Sequence, residues 1–176
     1  MSAPRVQLRT PSYTDQAEFL AAMRASQDLH RPWAYPPTSP QAYDLLMQRV
    51  VDPRYEPMLA CRRTDGAIVG FFNLGEIVRG YLQTAFLGYN AVAAHAGQGY
   101  MSEALQLVLA RAFDEMGLHR VEANIQPGNH RSINLAMRSG FVREGFSERY
   151  LQVGGQWRDH ERWAIRAEQW RRGAAR

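Results

Sequence analysis

Residues 96–105 constrain the fold most strongly, because two glycines there separate an apolar, strand-like run from a long helical pattern. The run covers residues 84–92, and after the glycines apolar side chains recur at the spacing of one helix face. A strand, a glycine loop and a helix start can together bind a polyphosphate, because unhindered backbone N–H groups and the helix dipole both face the anion. The simpler alternative is a tight turn in which the glycines only supply positive φ. The apolar positions are Leu105, Val108, Leu109, Ala112, Phe113 and Met116.

This glycine loop differs from the two commonest phosphate-binding motifs. A P-loop requires a lysine directly after its last glycine, and no lysine follows either Gly97 or Gly99. A dinucleotide-binding fingerprint requires a third glycine at the position of Ser102. The sequence therefore predicts neither a P-loop nucleotidase nor a dinucleotide-binding fold.

Composition limits the class of protein further. A chain of 176 residues with 45% hydrophobic content is long enough for one domain with a substantial core. It contains no apolar run of membrane-spanning length and no apolar signal core in its first ten residues, so we expect a cytoplasmic protein with no membrane partner. Cys61 is the single cysteine, which excludes an internal disulfide and a cysteine metal cage.

Charge favours an anionic ligand over a nucleic acid. The formal net charge of +4 suits a phosphate-bearing ligand, but 21 basic residues are offset by 17 acidic ones and form no long stripe. The five histidines share no metal-ligand spacing, so we predict no metal site. Asp159 and His160 are adjacent on a predicted strand and point to opposite faces, so His160 is expected to be structural or pocket-lining.

The first half of the chain indicates a scaffold with a proline-rich loop. Residues 5–9 alternate as a strand, Thr14 and Asp15 begin a helix, and Ser39 begins a second helix. Two strands, 58–63 and 67–73, flank an Asp-Gly turn. The loop at residues 31–37 contains Trp33 and Tyr35, which either anchor the loop on the core or line a pocket.

The second half supplies a strand at residues 121–126, a helix that begins at Asn129 and ends at Gly140, and a hairpin of strands 141–150 and 157–165. The order of elements predicts an α+β (mixed α/β) protein. We expect a single domain, 1–176, with its core at about 5–166 and a basic tail at 167–176 that is frayed from residue 171 onwards.

These segments, taken in order, resemble one branch of the GNAT acetyltransferases, the RimJ/RimL-like ribosomal-protein-alanine N-acetyltransferases. The similarity covers residues 5–165, and its acetyl-CoA loop departs from the family pattern at Ala96 and Met101. The motifs that carry it are Arg31-Pro32-Trp33, Leu87-Gly88-Tyr89, Gly97-Gln98-Gly99-Tyr100, Arg120-Val121-Glu122-Ala123-Asn124, Asn129-x-x-Ser132, Gly140-Phe141 and Trp157-x-Asp159-His160.

The resemblance implies the GNAT fold, a central, mostly antiparallel twisted sheet with splayed fourth and fifth strands flanked by helices. It implies acetyl-CoA as cosubstrate, with the pyrophosphate on the backbone of the glycine loop and the pantetheine arm along the fourth strand. Asn129 contacts the pantetheine side in the resembled branch. The implied cofactor-binding residues are Asn90, Ala91, Val92, Gly97, Gln98, Gly99, Tyr100, Met101, Ser102 and Asn129.

Ser132 is the implied catalytic residue, placed near the sulfur to protonate or hydrogen-bond the departing thiolate. Other GNAT enzymes use a tyrosine one helical turn later, and Ala136 stands there in this chain. A serine hydroxyl is a much weaker acid than the thiol it would protonate, so a hydrogen bond or a water relay is the more reasonable role. Asn129 and Ser132 would equally suit a helix N-cap and an ordinary first turn.

The implied reaction is direct attack of an amine on the thioester, with an oxyanion held by a backbone N–H near Val92. The general base is left open among Glu76, Glu122, Glu148 and Asp159. The implied acceptor-binding residues are Trp33, Tyr35, Glu76 and Arg79. We expect transfer to a protein N-terminal alanine or serine, for example on a ribosomal protein, by a monomer or homodimer. A small-molecule amine as acceptor and a non-catalytic CoA-binding module are the alternatives.

Overall fold

A computed structural model describes residues 4–174. Seven strands and six α-helices occupy that range, and β3 continues to Val78, past its predicted end at Asn73. The strands are β1 (Val6–Arg9), β2 (Glu56–Arg62), β3 (Ile68–Val78), β4 (Thr84–Ala91), β5 (Arg120–Ile125), β6 (Val142–Val153) and β7 (Gln156–Arg166). The helices are α1 (Gln16–Ala25), α2 (Gln27–His30), α3 (Pro40–Val50), α4 (Tyr100–Ala110), α5 (His130–Arg138) and α6 (Ala167–Ala174); a π-helical turn, Arg111–Glu115, extends α4.

Local sequence signals account for where several elements begin and end. The Ser39 hydroxyl accepts a hydrogen bond from the Ala42 N–H at 3.2 Å, and Pro40 occupies the first position of α3, where its missing N–H costs nothing. Gly66 has φ +76° in the Asp-Gly turn between β2 and β3, and Gly140 has φ +91° directly after α5. These left-handed conformations are the ones that glycine adopts without strain.

The seven strands form one sheet in the order β1-β2-β3-β4-β5-β7-β6. Every neighbouring pair is antiparallel except β4 and β5, which are parallel. A parallel pair needs a crossover connection, and α4 supplies it. The observed topology confirms the mixed α/β prediction with a mostly antiparallel sheet.

The parallel strands β4 and β5 separate along their length. They pair at Thr84–Arg120, Ala85–Val121 and Phe86–Glu122, and the pairing stops there. Both strands nevertheless continue, β4 to Ala91 and β5 to Ile125. We call the gap between residues 87–91 and 123–125 the wedge. Its presence confirms the predicted splaying of the fourth and fifth strands.

The two faces of the sheet differ in what covers them. The larger core cluster packs α4 and α5 on one face, and it includes Phe72, Leu105 and Val121. The smaller cluster packs α1 and α3 on the other face against β2 and β3, and it includes Phe71. Side chains alternate along a strand, so β5 sends its even-numbered polar residues, Asn124 among them, to the second face.

The C-terminal segment is ordered by packing, contrary to the predicted frayed tail. Helix α6 extends to Ala174, and the Trp170 ring lies against Phe113 with 5.7 Å between ring centroids. Arg171 Nη2 donates to the Phe113 carbonyl at 3.3 Å. The prediction of a frayed tail is therefore wrong up to Ala174, because one aromatic contact anchors the helix; residues 175–176 lie outside the described range. Within residues 4–174, no helix is both long and apolar enough to cross a bilayer.

Candidate active site

A cavity of about 440 Å³ opens at the wedge. Strands β3, β4, β5 and β7, the start of α5 and the proline-rich loop all contribute to its wall. Its lining residues include Trp33, Tyr55, Asn73, Glu76, Tyr89, Asn90, Asn124, Asn129, Ser132 and His160. The cavity therefore joins the predicted cofactor side and the predicted acceptor side in one space.

The glycine loop presents a row of free backbone donors at the start of α4. Gly97 and Gly99 adopt φ +76° and +85°, and no residue of the described chain accepts a hydrogen bond from the N–H groups of residues 97–101. The N–H of Ser102 is different, because it donates to the Gly99 carbonyl at 3.1 Å. Five consecutive donors thus remain for an anion at a helix N-terminus, whereas the Ser102 N–H, also predicted to contact the pyrophosphate, already has an acceptor.

Arg5, just before β1, makes hydrogen bonds to the glycine loop and to α4. It was not among the residues predicted for the site. Its Nη2 donates to the Gln98 carbonyl at 2.9 Å, and its Nε donates to Glu103 Oε1 at 2.7 Å. The guanidinium also lies over the Tyr100 ring, 4.7 Å from the centroid. The Glu103 carboxylate raises the pKa of Arg5, so the arginine remains charged. No local pattern relates residue 5 to residue 103.

The edge of β4 determines which backbone groups reach the wedge. The Val92 N–H donates to the Val69 carbonyl of the neighbouring segment at 3.0 Å. Because N–H groups alternate between the two edges of an antiparallel strand, Asn90 also points its N–H at β3, while Tyr89 and Ala91 point theirs into the wedge. The Val92 N–H is therefore already used within the sheet and points away from the wedge, while Asn90 lines the cavity.

The last wedge-facing carbonyl of β4, that of Ala91, is hydrogen-bonded to His30. The His30 Nε2 lies 2.7 Å from the Ala91 oxygen, and burial lowers the pKa of this histidine. The neutral ring therefore donates from Nε2 to the carbonyl. This contact leaves the Ala91 N–H as the available main-chain group among the three predicted pantetheine positions.

Ser132 lies in the first turn of α5 and lines the cavity at the wedge. Asn129 caps the helix by accepting the Ser132 N–H at 3.2 Å, and the Tyr89 hydroxyl donates to the Ser132 carbonyl at 3.2 Å. Burial raises the pKa of Tyr89, which keeps that hydroxyl protonated. The Ser132 hydroxyl has no hydrogen-bond partner among the described residues and lies in the cavity wall. Ala136 is buried in the core, so it supplies no acid.

The four predicted acceptor residues do not all reach the cavity. Trp33 and Glu76 line it, and Glu76 accepts a short hydrogen bond from the Tyr55 hydroxyl. Tyr35 is 53% exposed and packs on Gly154 at the β6–β7 turn. Arg79 Nη1 donates to the Met116 carbonyl at 2.6 Å, outside the cavity wall. The structure therefore gives no support to Arg79 as an acceptor-binding residue, because its guanidinium is used to tie the β3–β4 turn to the end of α4.

Two asparagines that the sequence-based site did not include line the same cavity. Asn73 on β3 and Asn124 on β5 line the cavity, and the Oδ1 atom of each is buried without a hydrogen-bond partner within residues 4–174. A buried acceptor that lacks a donor costs about 1–3 kcal/mol. The sequence carried a signal at Asn73, the one amide in the apolar first part of β3, but none at Asn124, because β5 alternates polar and apolar residues throughout. Each amide therefore has hydrogen-bonding capacity that the described residues leave unused.

A model of the acetyltransferase (GNAT) domain family matches residues 5–142, which is most of the chain. The chain belongs to the GNAT acetyltransferase family. The solved structure of RimJ from Mycobacterium smegmatis, in complex with CoA-disulfide, superposes with a TM-score of 0.84 at 30% identity, over 93% of this chain and 82% of that one.

Two curated N-acetyltransferases are similar in sequence to this chain. The protein named "Probable N-acetyltransferase YjcK" of Bacillus subtilis is 42% identical over 102 residues, which is 58% of this chain and 56% of its own. The ribosomal protein uS5-alanine N-acetyltransferase of Escherichia coli is 38% identical over 106 residues, which is 60% of this chain and 55% of its own. The chain thus spans somewhat more than half the length of these curated relatives.

The carboxylates considered as general base in this GNAT domain are mostly engaged elsewhere. Glu122 accepts from Arg120 Nε at 2.8 Å, and Asp159 accepts the Arg149 N–H at 2.8 Å. Glu148 is exposed and lies outside the cavity wall. Glu76 is the one candidate of the four that lines the cavity, and Tyr55 already donates to it.

The single cysteine and the potential metal ligands of the domain do not form a reactive site within residues 4–174. Cys61 is buried in the smaller core cluster, and burial raises the pKa of its thiol, so it has no nucleophilic character at neutral pH. Throughout residues 4–174, no three His, Cys, Asp or Glu side chains come close enough to hold a metal ion. The chemistry available at the wedge is therefore that of backbone donors, amides, hydroxyls, one histidine, the Glu76 carboxylate and the Arg49 guanidinium.

Proposed function

We propose that this protein transfers the acetyl group of acetyl-CoA to the α-amino group of a protein N-terminus that begins with alanine or serine. The observation that carries the proposal is the wedge itself, with free backbone donors at one end and two unpartnered amide oxygens on its acceptor side. The relative from Escherichia coli supports the choice of an N-terminal alanine, and ribosomal proteins are the acceptor class that its name suggests.

The residues around the wedge fit acetyl-CoA. The N–H groups of residues 97–101 and the dipole of α4 would hold the pyrophosphate, and Gly97 and Gly99 leave its approach unobstructed. The N–H groups of Tyr89 and Ala91, directed into the wedge, would pair with the extended pantetheine arm as a neighbouring strand does. The CoA-bound RimJ structure supports this placement through the similarity of its fold.

The acceptor side suits a single amine. An ammonium group carries three N–H donors, and the two asparagines in the cavity wall have amide oxygens that no described residue donates to. Glu76 is the one carboxylate in the cavity wall, where it accepts from the Tyr55 hydroxyl, and Arg49 lines the same cavity. A polyamine with several positive charges would find too few partners here, so the wall favours an acceptor with one cationic nitrogen over a polyamine.

An α-amino group also lowers the cost of forming the nucleophile. Its pKa is about 8, against about 10.4 for lysine, so deprotonation at neutral pH costs about 3 kcal/mol less. The neutral amine attacks the thioester carbon directly, without an acyl-enzyme. The Ser132 hydroxyl, free in the cavity wall, donates a hydrogen bond to the departing sulfur or relays a proton through water.

Mass spectrometry of acetyl transfer tests the proposal. The full chain is incubated with acetyl-CoA and with peptides that begin with alanine or serine, beside the same peptides with a blocked N-terminus and a panel of polyamines and aminoglycosides. Gain of one acetyl group at the free α-amine alone is expected. Transfer only to a small amine would favour the small-molecule alternative, and CoA binding without any transfer would favour a binding module.

A further inference from the structure

We infer that His160 is the general base, with Nε2 as the atom that takes the proton from the acceptor amine. The inference rests on the proposed acetyl transfer and names the residue that the sequence left open. It depends on three features of the wedge, which are the position of the ring, its tautomer and the engagement of Glu76, the one carboxylate in the cavity wall, by the Tyr55 hydroxyl.

The position of His160 places it on the acceptor side. The residue is 3% exposed, yet it lines the cavity together with Ser132 and Asn124. It belongs to β7, where its neighbour Arg162 pairs with Asn124 across the β5–β7 ladder. Because residues two apart on a strand share a face, His160 projects on the same side of the sheet as the Asn124 amide.

The tautomer is fixed by one hydrogen bond. His160 Nδ1 lies 2.9 Å from the Arg158 carbonyl oxygen, which can only accept, so Nδ1 carries the hydrogen. The neutral ring then has its lone pair on Nε2, and no described residue donates to that atom. A base that lines the cavity and is held in one tautomer needs no change of tautomer before proton transfer.

The charge state of His160 follows from its surroundings. Burial lowers the pKa of the ring, so it is neutral and able to accept a proton at neutral pH. The Arg158 carbonyl and the neighbouring Asp159 act in the opposite direction. From β6, the Tyr150 ring contacts the imidazole edge-on at 6.4 Å between centroids. Across the cavity the charged groups are Glu76 and Arg49, which have opposite signs.

The proton and bond changes balance as follows. The acceptor enters as an ammonium group, held by the two asparagine oxygens, and gives one proton to Nε2. The nitrogen lone pair forms the N–C bond at the thioester carbon, the C–S bond breaks, and the electron pair leaves on sulfur. A second proton passes from nitrogen to sulfur through Ser132 or water, and the proton on Nε2 is released to solvent. The products are the acetylated amine and free CoA.

A His160→Gln variant tests the assignment with a matched control, His119→Gln. His119 is an exposed histidine paired with Glu168 at 2.9 Å and lies outside the cavity wall. We expect His160→Gln to lower kcat for an alanine-initial peptide by about 100-fold or more at pH 7, with the KM for acetyl-CoA unchanged. The control should retain the wild-type kcat.

The pH profile separates a base from a structural residue. In the wild type, kcat/KM should fall as the ring becomes protonated on the acid side. In His160→Gln the deficit should shrink above about pH 8, where the α-amine loses its proton without help. A kcat within twofold of wild type, or a pH-independent deficit, would overturn the assignment. A wild type that acetylates no amine at all would overturn the proposed function instead, and the base with it.

A second measurement uses the wild-type protein and therefore does not require His160→Gln to fold. The imidazole nitrogen resonances of His160 in the wild-type protein should report the Nδ1–H tautomer, and the Nε2 resonance should move when the peptide binds in the presence of CoA. A ring with hydrogen on Nε2, or a resonance indifferent to the peptide, would contradict the proposal.

Discussion

Gly99→Val is the sharpest test of the glycine loop as the anion-binding element. Gly99 caps α4 at φ +85°, and a Cβ built at this position would lie 3.1 Å from Arg5 Nη2. A valine would therefore strain the backbone and press on the guanidinium that donates to the Gln98 carbonyl. The donors of residues 97–101 would lose their common direction.

The expected size of the effect follows from the backbone conformation. A left-handed conformation costs a residue with a Cβ about 1–2 kcal/mol. If the loop relaxes to avoid this strain, the same free energy is lost from anion binding. Since 1.4 kcal/mol corresponds to a factor of ten, the dissociation constant of CoA should rise roughly 5- to 30-fold. The displaced Arg5 hydrogen bond adds to this loss.

Calorimetric titration of CoA measures the change, and Gly80→Val is the matched control. Gly80 also has a left-handed backbone, φ +69°, but a Cβ there would contact nothing within 4 Å, and the residue lies outside the cavity wall. The control should lower the melting temperature by about 2–4 °C per kcal/mol of strain and leave the CoA affinity unchanged. Equal CoA affinity of a folded Gly99→Val and the wild type would refute the loop assignment.

Three further substitutions address the remaining parts of the site. Ser132→Ala should lower kcat by up to about tenfold, the value of one hydrogen bond, and leave the CoA dissociation constant unchanged in titration; an unaltered kcat would exclude the serine from the reaction. Arg5→Met should raise the KM for acetyl-CoA a few-fold at constant kcat, because the Gln98 carbonyl loses its donor; steady-state kinetics that show a change in kcat alone would contradict a loop-positioning role. Asn124→Leu should raise the KM for the acceptor peptide about tenfold or more while CoA binds normally, and an unchanged acceptor KM would show that this oxygen does not contact the amine.

Local sequence determined the elements on which the site is built. The apolar spacing after Gly99 predicts a helix, and the apolar side chains of α4 do pack in the core. Asn129 caps α5, as its side-chain chemistry predicts. Turn residues such as Gly66 set the hairpins. These predictions succeed because they depend on backbone preferences and on periodicities within one segment.

Contacts between distant segments lay beyond the sequence. Arg5 meets Glu103 across 98 positions, and Asn73 shares a cavity with Asn124 because β3 and β5 flank the same strand. The sequence also assigned a backbone contact to Val92, whose N–H the tertiary structure commits to the Val69 carbonyl.

The glycine loop, the helices and the alternating strands are thus encoded residue by residue. The direction of each N–H group, the point where β4 and β5 part, and the tautomer of His160 depend on which partner each group meets. Each backbone N–H has one hydrogen to donate, and a neighbour that accepts it leaves none for a ligand. Only the folded arrangement therefore decides which donors and acceptors remain available.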